Sequence, residues 1–178
     1  MTRSQKIIGM GLAALVDAAA GSIIAQLCCL AFNRPITLLA IGGGILFALL
    51  PDVSHLLLKI LAIKGMHHRT LTHYPLLVLP FFLVVAPFSL FWAVLLSSAL
   101  VAHFADDTTD PGGLKWFAPL WNKRFRIYAK EPEPVSLEVW LQTYYLQPTL
   151  KSVGSIVLAL VAVSLFVCLL PYVDLLGY

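Results

Sequence analysis

Charge is what this chain has least of. Lys, Arg, Asp and Glu make up 12% of 178 residues, against 60% hydrophobic residues. Residues 74–102 carry no charge at all. Histidine does not occur before position 55 or after position 103. The net charge is only +3, in short clusters, which argues against nucleic acid as a partner, since that needs a concentrated basic face. Cysteine is scarce too: Cys28, Cys29 and Cys168 all stand in apolar segments. Neighbouring Cys28 and Cys29 do not suit a disulfide, so the three read as buried, reduced thiols and not as a framework or a CxxC metal site.

What remains is apolar. A mean hydropathy of +0.87 puts the chain in the membrane class, with a length suited to one compact domain. Arg3 and Lys6, an apolar run and then Ala18, Ala19 and Ala20 superficially resemble a secretory signal. Asp17 just before the small residues, and the apolar continuation to Phe32, favour a retained helix.

The expected organisation is an all-α helical bundle of about four to five membrane helices in one membrane-embedded domain, since roughly 20 apolar residues span a bilayer. Residues 7–32 form a first span, ended by Asn33-Arg34-Pro35. Residues 36–63 form a second, with Gly42-Gly43-Gly44 allowing close helix approach. A polar break at 51–55 interrupts it, because Pro51 removes a backbone donor. Residues 74–107 admit two readings: one long span, or a hairpin broken near Pro87. Cytoplasmic loops gather Lys and Arg. Arg3 and Lys6 then place the N-terminus in the cytoplasm, and two passes return Lys59, Lys64 and Arg69 there. A single following span would export Lys115, Lys123, Arg124, Arg126 and Lys130, so the hairpin is favoured. Residues 110–150, rich in Pro, Gly and Trp, form a cytoplasmic interfacial loop with a strand pair near Phe125 and a short helix capped by Ser136. On that helix Trp140, Tyr144 and Tyr145 suit the headgroup level. Residues 153–172 form the last span.

Ionisable groups near a bilayer are costly and mark functional sites. Here they form three clusters. Asp52 and His55 are three residues apart, and Asp52 also suits a helix cap. His67, His68, Arg69, Thr72 and His73 follow in one connector, with His67 the weakest ligand candidate. His103 and Asp107 are four apart, which aligns two ligands on one helical face. A bland alternative leaves Asp106, Asp107 and Asp110 simply solvated at a helix C-terminus, where acids oppose the dipole. The hairpin would bring all three clusters to one membrane face. Imidazole and carboxylate ligands suit zinc, manganese or iron, as one ion or two.

These motifs resemble a known family. Leu50-Pro51-Asp52-Val53-Ser54-His55, His68-Arg69-Thr70-Leu71-Thr72-His73, His103-Phe104-Ala105-Asp106-Asp107, Pro111-Gly112-Gly113 and the run from Ala118 to Phe125 are similar to the ordered motifs of the YdjM-like family. Its members are LexA-binding, inner-membrane-associated proteins classed as metal-dependent hydrolases. The resemblance covers roughly residues 1–130. It implies Asp52, His55, His68, His73, His103 and Asp107 as metal ligands. Ser54 stands where an acid is common, Asp110 where a threonine is common, and Lys6 is the nearest match to a histidine near the family's N-terminus.

The chemistry expected of such a site is hydrolysis by a metal-activated water, acting on a phosphoester or ester that is lipid-borne. Asp106 or Asp110 is the candidate general base. Arg69 is the candidate for binding an anionic group, because guanidinium matches phosphate geometry. Trp121, Lys123 and Arg124 are candidates for holding a headgroup, or for plain anchoring at the membrane surface. Zinc is the expected ion. The partners expected are membrane lipid and, in a non-catalytic alternative, a regulatory protein. A metal or proton transporter is disfavoured because the histidines do not line a path across the bilayer.

Overall fold

The chain enters through α1 (Arg3–Ala31), whose first turn is closed by a capping box between Thr2 and Gln5. A computed structural model describes residues 1–60, 71–110, 112–127, 137–147, 149–169 and 173–174. Asn33 ends the first helix in the left-handed region, at φ 50°, which asparagine tolerates better than most residues. Ile36–Thr37 (β1) then pairs in parallel with Val173–Asp174 (β2), a two-residue contact in an otherwise helical molecule.

α2 (Leu38–Ile60) runs through Pro51 without ending, so the break expected at 51–55 is absent from the backbone. A proline inside a helix forfeits one hydrogen bond and crowds the preceding turn. Neighbouring helices make that tolerable in a membrane bundle. A 3-10 turn, Leu71–His73, leads into α3 (Pro75–Val85). The chain reverses over residues 86–89 and returns as α4 (Leu90–Thr109), capped by the Ser89 hydroxyl accepting from the Trp92 amide. α3 packs on α4, so the uncharged stretch is a hairpin rather than one span. α5 (Leu137–Tyr144) is short, and α6 (Leu150–Cys168) begins at a Thr149–Ser152 capping box.

Among the described residues, α1, α4 and the 151–168 part of α6 are long and apolar enough to cross a membrane, and Leu38–Val53 and Pro75–Val85 are shorter apolar helices. Half of the apolar window of α4 is buried, against 22% in α1 and 17% in α6, so α4 is the inner helix. α1 lies against α2, α4 and α6, and α2 against α4. Small residues set these distances, as expected where lipid gives helices no hydrophobic drive to associate. A Cβ on Gly21 would lie 2.3 Å from the carbonyl oxygen of Gly44, and one on Gly43 would lie 2.6 Å from the Trp92 ring. Cys28 and Cys29 are buried at this packing, but Cys168, at the end of α6, is exposed, contrary to the sequence expectation.

Candidate metal centre

Four elements bring ionisable side chains to one place. α1 supplies Asp17, α2 supplies Asp52, the 3-10 turn supplies His73, and α4 supplies His103 and Asp107. The His73 side chain is 0% exposed and that of His103 only 3%, while that of Asp52 is 46% exposed. The cluster is therefore buried on the imidazole side and open at Asp52.

His73 Nε2 lies 3.2 Å from Asp52 Oδ1 and 3.7 Å from Asp107 Oδ2. Its other nitrogen is 2.9 Å from the Thr72 hydroxyl, which orients the ring. His103 Nε2 lies 3.6 Å from Asp107 Oδ2, one helical turn away on the same face of α4. His103 Nδ1 lies 3.1 Å from Asp17 Oδ1. The two imidazoles are 5.5 Å apart, centre to centre.

One ligand atom from each of Asp52, His73 and His103 falls within 4.8 Å of the others, the spread of a single ion's shell. His103 gives a direct test of fit. Both its ring nitrogens are buried without an aligned hydrogen bond, and each faces a carboxylate, Asp17 at 3.1 Å and Asp107 at 3.6 Å. A buried imidazole left so is costly, and such a group calls for an explanation such as an ion. Two nitrogens and a carboxylate oxygen at this spread suit a divalent transition metal.

The remaining candidates sit elsewhere. Asp106 and Asp110 meet Lys151 at the start of α6, Asp106 Oδ2 at 3.2 Å and Asp110 at a closer contact. Lys151 also stands over the Tyr145 ring, 5.8 Å from its centre. Tyr145 is only 3% exposed and packs on Trp140 beside this ion cluster. Burial, and then the carboxylates of Asp106 and Asp110, push its phenol above the usual range.

His67, His68 and Arg69 lie outside the described residues, as do Ser136 and Tyr128, and His55 lies in the part of α2 where only the backbone is described. Trp121, Lys123 and Arg124 stand on the loop after α4. Phe117, Trp121 and Phe125 cluster there, with the Lys123 ammonium 5.5 Å from the Trp121 ring centre, and Arg124 donates to the Gly112 carbonyl at 3.1 Å. This loop is ordered by a Leu114–Phe125 bridge and by Trp116 Nε1 donating to the Thr108 hydroxyl at 2.8 Å.

Two participants were not foreseen: Asp17 and Lys151. Lys6 is paired with Glu138 at 3.6 Å, so α1 reaches the cluster eleven residues later, about 16 Å further along a helix at 1.5 Å per residue. The available signal was Asp17 itself, an acid inside the apolar run of α1 that follows Arg3 and Lys6. Lys151 had the same signal at the mouth of the last span.

Residues 9–174 match the family described as YdjM inner membrane protein. No curated protein and no solved structure matches the chain.

Proposed function

The chain belongs to the YdjM inner membrane protein family, and from that membership and the buried cluster we propose that it is a membrane-embedded, metal-dependent hydrolase acting at the cytoplasmic membrane face. The observation that carries this is the convergence of one ligand atom each from Asp52, His73 and His103 within 4.8 Å, with neither buried nitrogen of His103 in an aligned hydrogen bond. Asp52, His73 and His103 would hold the ion, with zinc first and manganese or iron as other choices, and Asp107 stands between the two imidazoles as a further ligand. When bound, such an ion supplies an acidified water and a Lewis acid for a phosphoryl or carbonyl oxygen. Thr72 holds the His73 ring in place, and the exposed side of Asp52 is the open edge through which a substrate reaches the cluster.

A lipid-borne phosphoester or ester is the substrate class we favour, because the site belongs to a membrane protein and the loop after α4 offers Trp121, Lys123 and Arg124 to a headgroup. Arg69 is our candidate for the anionic group and His55 and His68 for further ligands. The N-terminus in the cytoplasm follows from the distribution of Lys and Arg.

A second reading, a non-catalytic partner-binding or regulatory protein with a structural or vestigial metal site, is favoured by one feature: both candidate bases, Asp106 and Asp110, are engaged by Lys151. Elemental analysis of the purified chain beside His73→Ala and His103→Ala, with turnover of phosphoester and ester probes, decides. Near-stoichiometric metal in the wild type, lost in both variants, and metal-dependent turnover support the hydrolase. Metal without turnover favours the second reading with a structural metal, and no metal in the wild type removes the hydrolase and leaves the second reading with a vestigial site.

A further inference from the structure

The second nitrogen of His103 has its own partner in waiting. A neutral imidazole carries a proton on one nitrogen and a lone pair on the other. If Nε2 is to offer its lone pair on the side of Asp107, His73 and Asp52, the proton must sit on Nδ1. That nitrogen faces α1, where Asp17 Oδ1 lies 3.1 Å away with only 9% of its side chain exposed. The two atoms are within hydrogen-bond distance.

We propose that Asp17 is a positioning residue of the metal centre: it accepts the Nδ1 proton of His103, fixes that tautomer and turns Nε2 toward Asp52 and His73. The proposal rests on the metal-site reading above. Asp17 stands behind the ligand rather than on the ion, because it meets the edge of the imidazole opposite Nε2. A carboxylate behind a ligating histidine fixes ring orientation and raises ligand basicity. The arrangement makes both nitrogens of His103 useful at once, which a plain interhelical contact would not. It also gives a reason for an acid in the middle of α1, where it is otherwise expensive.

The test uses the full chain in detergent and zinc as the probe, with affinity read by competition against a chromogenic chelator. Asp17→Asn keeps the shape and an acceptor oxygen but loses the charge. Asp17→Ala loses both. Zinc affinity should fall about tenfold in Asp17→Asn and up to about a hundredfold in Asp17→Ala. In metal-free protein labelled with 15N-histidine, the His103 ring, assigned by its loss in His103→Gln, should be protonated at Nδ1 and shift toward Nε2 in Asp17→Ala. Unchanged zinc affinity in both variants, with a lowered unfolding temperature, overturns the proposal, since Asp17 would then only tie α1 to α4. An Nε2-protonated ring in the wild type overturns it as well. If Asp17→Ala does not fold, Asp17→Asn decides. Wild-type chain that takes up no zinc overturns the metal reading and this proposal together, an outcome distinct from zinc uptake that ignores Asp17.

Discussion

Gly21 of α1 and Gly44 of α2 meet backbone to backbone: a Cβ on either would stand 2.3 Å from the other's carbonyl oxygen. This crossing lies one helical turn beyond Asp17 on α1 and about two turns before Asp52 on α2. It therefore sets how near two of the cluster's carboxylates can come.

Gly44→Ala should push the two helices apart. Overfilling a tight contact costs about 1–3 kcal/mol. The unfolding temperature in detergent should drop, and zinc affinity should fall with it. Gly42→Ala is the control, since a Cβ there meets nothing within 4 Å. Equal behaviour of the two variants would remove the crossing as a determinant.

Lys151 binds two carboxylates that belong to α4 and its cap. Removing one partner from a buried ion cluster costs about 3–5 kcal/mol, because the charges left behind have lost their partner. Lys151→Met should destabilise by that order, and adding Asp106→Asn should restore part of it. A Lys151→Met chain as stable as the wild type in thermal unfolding would show the cluster to be energetically idle.

Tyr145 gives an alkaline signature. Its folded pKa is raised by burial, so the native state keeps the proton where the unfolded chain, with a pKa of about 10, releases it. The unfolded state then binds fewer protons than the native state, so stability falls as pH rises above about 10. Tyr145→Phe should show a smaller loss between pH 9 and pH 11 (roughly the window around that unfolded value). An identical pH slope in the two proteins counts against this burial.

The hairpin of α3 and α4 predicts sidedness. Single cysteines at Lys64 and at Lys115, in a chain with Cys28, Cys29 and Cys168 replaced by alanine, should react with an impermeant maleimide from the same side of vesicles. Labelling from opposite sides would be inconsistent with the reversal over residues 86–89.

Much of the fold was legible because its signals are local. Asn33 and Pro35 end α1 where composition said they would, and Pro87 sits in the turn that the charge distribution demanded. His103 and Asp107 share a helix face because their spacing forces it. Pro51 misled because its effect on a helix depends on neighbours that local sequence does not reveal. Asp17 escaped for a different reason. Nothing near it in sequence is ionisable, and its partner is 86 positions away, joined to it only by helix packing. The burial of Tyr145 escaped because its neighbour Lys151 comes from a different helix.

Lys151 stands at the start of the last long helix, 45 positions after Asp106 and 41 after Asp110. A ribosome delivers the two acids first and their cation only after the residues that separate Asp110 from Lys151. During synthesis the tail of α4 therefore has reason to linger at the watery edge of the membrane. Arrival of α6 would let it settle, so that a segment made well after α4 is the one that completes its insertion.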